Sequence, residues 1–269
     1  MNEYVPGLEG VPATKSNISF IDGEKGVLAY RGYPIGVLAE RSTFEETALL
    51  LLDGQLPTQQ FLDEFDDQMR NNRRVKFRVR ELMRQLPPSS HPMDMLQAMV
   101  ACLGMFYPGA DEYVPGADPQ ADLDYVHNMS VAIMARMPTM VAMWEHIRNG
   151  YDPIEPRSDL THAENFLWML NYKEPDPFLA RIFDICLILH AEHTINASTF
   201  AVLVAGSTLA SPYGVIASGI ATLSGPLHGG ANQKVVKMLE EIGSPDKARA
   251  YIDSQLAQKK VIWGFGHRE

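Results

Sequence analysis

Between Thr194 and Gln233 the chain carries no Asp, Glu, Lys or Arg, and no other feature limits its fold so severely. An uncharged run of that length has to be buried, either in a protein interior or in a bilayer. Ser211-Pro212-Tyr213-Gly214 and then Gly225-Pro226 interrupt it. Each apolar piece therefore falls well short of the ~20 residues that a membrane-spanning helix requires. The reading that remains is two buried, closely packed helices rich in Ala, Gly and Ser.

Proline and capping residues divide the rest of the chain into helices. Ser42-Thr43-Phe44-Glu45 has the spacing of a capping box, and the helix it starts should stop at Gly54. Thr58 caps an acidic amphipathic helix that ends in Arg70, Arg73 and Arg74, where cations suit the helix dipole. A short helix is expected from Arg78 to Leu86 and another from Pro92 through Phe106. After a loop at Pro108–Asp118, helices are expected at Pro119–Arg136, Pro138–Asn149, Thr161–Leu170 and Pro177–His190. Gly225–Ile242 and Ser244–Lys259 complete the set. Only Ile18–Ile35 alternates, which reads as a small β-hairpin. The fold class is mainly α, with a small N-terminal β-hairpin.

A formal charge of −10 disfavours nucleic acid and acidic membrane surfaces as partners. Any anionic substrate must be held by a local positive patch. Cys102 and Cys186 are the only cysteines. Both lie in apolar helical runs, so buried thiols in a reducing, cytoplasmic setting are expected. The first residues, Met1-Asn2-Glu3-Tyr4-Val5-Pro6, have neither the basic start nor the apolar run of a signal peptide.

Three histidine-bearing segments carry the chemistry. His228 stands in Gly225-Pro226-Leu227-His228-Gly229-Gly230, ahead of a helical pattern. A ring at a helix N-terminus is favoured in its neutral form and can donate a hydrogen bond to a carbonyl that is becoming an enolate. A helix-capping histidine beside packing glycines is the bland alternative. His190 and His193 are three apart, with Asn196 on the same face. They could be metal ligands, but no Cys- or His-rich segment completes a shell. They could instead bind an oxyacid through one ring and Asn196, with His190 a core residue at the end of the apolar run Ile185–Leu189. Gly264-Phe265-Gly266-His267 again sets a histidine after glycines, where exposed backbone can meet a ligand.

Taken together, His190-Ala191-Glu192-His193 with Asn196-Ala197-Ser198-Thr199-Phe200, Gly225-Pro226-Leu227-His228-Gly229-Gly230-Ala231-Asn232 and Gly264-Phe265-Gly266-His267-Arg268 closely resemble the ordered motifs of the citrate synthase family. Gly7-Leu8-Glu9-Gly10-Val11, Tyr30-Arg31-Gly32-Tyr33, and Phe44-Glu45-Glu46 with its Leu-rich helix ending at Gln55-Leu56-Pro57 are similar to that family too. The resemblance covers essentially the whole chain. It implies a large helical domain, here 1–223, and the beginning of a small helical domain at 224–269. It implies condensation of acetyl-CoA with oxaloacetate, then thioester hydrolysis to citrate and CoA.

The resemblance also assigns roles. His228 would polarise the thioester carbonyl and His267 the oxaloacetate ketone, while His193 and Asn196 would bind oxaloacetate. Leu227, Val261, Ile262, Trp263, Gly264 and Phe265 would line the CoA adenine site. No metal or redox cofactor is implied, and homodimers or larger homo-oligomers are. In the family, the catalytic aspartate and the arginines that clamp oxaloacetate lie downstream of the segment matching Gly264–His267. The 269-residue chain is therefore expected to be incomplete and nearly inactive by itself. A 2-methylcitrate synthase acting on propionyl-CoA, or a non-catalytic helical assembly module, are the other readings that the motifs allow.

Overall fold

A computed structural model describes residue 12 and residues 14–107 and 113–265. The Gly7–Val11 motif, part of the 108–118 loop, and Gly266, His267 and Arg268 lie outside the described residues. Strands β1 (Ser19–Asp22) and β2 (Val27–Tyr30) pair antiparallel from Ser19 opposite Tyr30 to Asp22 opposite Val27. Asp22 fixes the turn by accepting from the Lys25 backbone N–H at 3.1 Å and pairing with its Nζ at 2.7 Å. A two-residue β3 (Tyr33–Pro34) adds to β2, giving the sheet order β1-β2-β3.

The extended reading to Ile35 missed α1 (Ile35–Arg41), whose seven residues are too few to display a helical period. Helix α2 (Phe44–Asp53) ends at Gly54 as expected, but its cap lies one residue later than the capping-box reading. Thr43 accepts from Glu46 N–H, and Ser42 Oγ donates to Glu46 Oε2 at 2.6 Å. Glu45 is thereby released from capping. It is buried, and accepts from the His162 backbone N–H at 2.8 Å. Helices α3 (Gln59–Asn72), α4 (Phe77–Arg84) and α5 (Pro92–Phe106) follow, with Thr58 capping α3 and Pro92 in the first turn of α5.

The two helices expected on either side of Met137 are one. Helix α6 (Pro119–Arg148) runs for 30 residues with Pro138 inside it. Proline removes one helical hydrogen bond and strains the preceding turn. Burial on both sides outweighs this, since Val131, Ala132, Ile133 and Ala135 precede the proline in the core and Met140, Met143 and Trp144 follow it. Polar side chains clamp the same stretch to the end of α3. Thr139 Oγ1 donates to Arg73 O at 2.8 Å, and Arg136 Nη2 donates to Asn72 Oδ1 at 2.8 Å.

Helices α7 (His162–Asn171) and α8 (Pro177–His190) start at caps Thr161 and Asp176, the former in a full capping box with Glu164. Asn196 caps α9 (Ala197–Gly206), and Pro212 opens α10 (Pro212–Leu223). The next helix begins later than expected, α11 being Gly230–Ile242, because residues 225–229 form a turn. A 3-10 turn at Pro245–Lys247 leads into α12 (Ala248–Ala257).

The largest apolar cluster joins α4, α5, α6 and α10 through Met83, Met99, Leu103, Met140, Trp144 and Tyr213. A second joins α2, α3 and α6 through Leu49, Phe65, Met69 and Val131. A third seats the sheet on α1, α2 and α8 through Tyr30, Leu38, Leu50 and Ile188. Helix α10 is buried as expected, but none of α9 is. The two pack closely because Gly219 lacks a side chain. A Cβ there would lie 2.8 Å from Val202 Cγ2. Cys186 is exposed and Cys102 half-buried, against the expectation of two buried thiols. Cys186 lies on a face of α8 that also exposes Ile182 and Leu189.

One ionisable cluster lies within the core, between α2, α3 and α7. Burial and the nearby Arg73 charge push His162 down to about 3, with its ring stacked 4.9 Å from that of Phe44. Burial raises the Glu45 carboxyl above its ordinary value. Arg73, almost fully buried, donates through Nη1 to Arg157 O at 2.7 Å and Leu160 O at 2.8 Å.

Candidate active site

His228 lies in the turn between α10 and α11. Its backbone N–H donates to Gly225 O at 3.0 Å, and its Nε2 is 2.8 Å from Ser198 Oγ. The ring therefore precedes the first turn of α11 rather than lying inside it, and its orientation is set by α9. A serine hydroxyl can donate to Nε2, in which case the neutral ring carries its proton on Nδ1. Gly229 is required by the chain itself. A Cβ there would lie 2.4 Å from Leu223 O, so the backbone folds flat against the end of α10. Leu227, beside His228, is fully exposed.

The second segment links α8 to α9. His190, read as a core residue, is exposed. Its Nδ1 is 2.7 Å from Cys186 O, one turn back on α8. His193 is exposed, and Asn196 Oδ1 accepts from Thr199 N–H at 3.0 Å as the cap of α9. Ser198, which carried no assigned role in the motif, is two residues past Asn196 and holds His228. The N-terminus of α9 thus gathers two of the three histidine segments. Among the described residues no group of three or more His, Cys, Asp and Glu is placed to hold a metal ion.

The third segment docks on α11. Lys234 Nζ lies 4.0 Å from the centre of the Trp263 ring, a cation–π contact. Gly264 has φ +90° and lies close to Val235. Ile262 is half-buried, while Val261 and Phe265 are 66% and 76% exposed. A cavity of about 830 Å³ opens beside the His228 turn, lined among others by His91, Arg148, Pro226, Gly230, Asn232 and Lys234. Arg148 and Lys234 bring positive charge to its lining, Arg148 being paired with Glu145 at 2.8 Å.

A mainly helical chain that brings His228 and the His190–Asn196 segment to one helix terminus has counterparts. The family described as citrate synthase, C-terminal domain, matches residues 7–269. A citrate synthase of Acidithiobacillus ferridurans is 59% identical over 98% of this chain and 68% of its own length. One of Synechocystis is 51% identical over 98% of this chain and 65% of its own. The crystal structure of citrate synthase from Pyrobaculum aerophilum superposes with a TM-score of 0.86 at 39% identity, over 97% of this chain and 65% of that one. The chain belongs to the citrate synthase family, a family of acyltransferases. It spans about two thirds of the length of these relatives.

Proposed function

We propose that the intact protein condenses acetyl-CoA with oxaloacetate and water to give citrate and CoA. The thioester methyl loses a proton and its carbon attacks the ketone carbon of oxaloacetate. Water then cleaves the thioester of citryl-CoA and releases CoA. The observation that carries this reading is the 2.8 Å contact between Ser198 Oγ and His228 Nε2. With Ser198 donating to Nε2, His228 offers Nδ1–H to the thioester carbonyl and stabilises the enolate that forms there.

His193 and the Asn196 amide bind oxaloacetate, and His267 donates to its ketone. Leu227 and the 261–265 segment hold the adenine of CoA, which the exposure of Leu227, Val261 and Phe265 supports. The cavity bearing His91, Arg148 and Lys234 suits the phosphates. Carbon–carbon bond formation is driven by thioester hydrolysis, so no metal or redox cofactor is needed. Residues 1–223 belong to the large domain and 224–269 begin the small one. A reducing cytoplasm suits the unpaired Cys102 and Cys186. The uncovered apolar side chains of α9 support self-association as a homodimer or larger homo-oligomer.

The test is release of CoA thiol from acetyl-CoA by the intact protein. We expect release that requires oxaloacetate and falls by two or more orders of magnitude in His228→Ala. Release independent of oxaloacetate, or undiminished in His228→Ala, would overturn the assignment.

A further inference from the structure

The six residues between α8 and α9 hold His193 in a strained turn. Thr194 adopts φ +59°, a left-handed conformation that is unfavourable for a β-branched side chain. Both peptide groups flanking His193 are nevertheless fixed. Before it, the Glu192 carbonyl lies 3.0 Å from the buried Tyr30 hydroxyl, which also accepts from the Glu192 N–H at 3.3 Å. After it, the Thr194 N–H donates to Glu192 Oε1 at 2.7 Å. That same oxygen accepts from Ser19 Oγ, on strand β1, at 3.0 Å. Glu192 thus reaches across His193 and ties the turn to the N-terminal sheet, more than 150 residues away in sequence.

We infer that Glu192 is a positioning residue, whose carboxylate, anchored by Ser19, holds the Thr194 turn so that His193 is presented to the oxyacid substrate. The N-terminal sheet is then part of the site's support. Sequence spacing had offered His190 and His193 as metal ligands. The geometry instead engages Glu192 Oε1 with two donors and His190 Nδ1 with a backbone carbonyl. The inference rests on the assignment of His193 as an oxaloacetate ligand, so the experiment tests both.

Steady-state kinetics of the intact protein are compared for wild type, His193→Ala, Glu192→Ala, Glu192→Gln and Ser19→Ala. Losing a charge-assisted hydrogen bond that orders a binding residue should raise the oxaloacetate KM of Glu192→Ala about tenfold. Its kcat and acetyl-CoA KM should stay within about twofold of wild type. Glu192→Gln keeps an oxygen acceptor and should recover most of the loss, while Ser19→Ala should raise KM about threefold. A general loss of folding would lower kcat and both KM values' reliability together with the melting temperature, and would not be rescued selectively by Gln. Should Glu192→Ala not fold, Glu192→Gln and Ser19→Ala carry the comparison. An unchanged oxaloacetate KM in the Glu192 and Ser19 variants, beside a raised one in His193→Ala, overturns the positioning role alone. An unchanged KM in His193→Ala overturns the ligand assignment, and the positioning role falls with it.

Discussion

Two imidazoles in this protein are held by opposite means. His228 is half-buried and oriented by a hydroxyl from another helix, whereas His162 is enclosed in the core with a ring stacked on Phe44. Removing the first restraint in Ser198→Ala should lower kcat about tenfold and leave the oxaloacetate KM near wild type, with Ser198→Thr partly restoring the rate. His162 makes its contribution through protons. Its folded value of about 3 lies below its ordinary 6.5, so the unfolded chain takes up the proton first. The stability conferred by the neutral ring is complete above pH 6.5 and is lost as pH falls through the window towards 3. Between pH 6.5 and 5.0 wild type should lose about 2 kcal/mol more than His162→Leu, read from urea unfolding at the two values. A parallel loss in both proteins would refute this role. The sequence displayed His228 because glycines flank it, and His193 because it recurs three residues after His190. It could not display their partners. Ser198 lies inside a motif yet contacts His228 only because α9 and α10 fold back on each other, and Glu192 shows no role until Ser19 is beside it.

At the scale of elements, caps were easier to read than interiors. Thr58, Pro92, Thr161, Pro177 and Pro212 mark helix starts in the structure because capping and fixed φ act within a few residues. Pro138 misled for the same reason. Its local effect is to end a helix, and only the apolar clusters on either side of it show why α6 continues. The Ser42 capping box failed by one residue, because Thr43 is also a capping residue and Glu46 also an acid. The contact of α9 with α10 was equally invisible, since it depends on one missing side chain. Gly219→Val should therefore lower stability by about 2 kcal/mol, the expected range for forcing atoms into a packed contact. Val202→Ala in the same chain should recover a large part of it. Thermal melting of the single and double variants decides this, and equal losses in both would place the strain elsewhere.

At the scale of the whole molecule, the uncharged stretch from Ile195 to Asn232 was read as two buried helices, and one of them is not buried within the chain. The inference from charge to burial was sound, but it does not say what provides the cover. Helix α9 exposes Phe200, Leu203 and Val204, and Leu209 just beyond it is 51% exposed. None of the described helices is long and apolar enough to cross a membrane, so a bilayer-spanning role for α9 does not arise. A second copy provides cover of the same apolar chemistry, and a two-fold contact would place α9 against its own equivalent. A charge placed in such a contact would lose water without gaining a partner, which costs several kcal/mol at each of the two equivalent positions. The intact protein should therefore sediment as a dimer or larger, and Val204→Glu should shift it to a lower mass at micromolar concentration. Its melting temperature should then depend on protein concentration less steeply than that of wild type, because fewer of its folded chains are associated. An unchanged mass for Val204→Glu would assign the cover of α9 to another part of the intact protein.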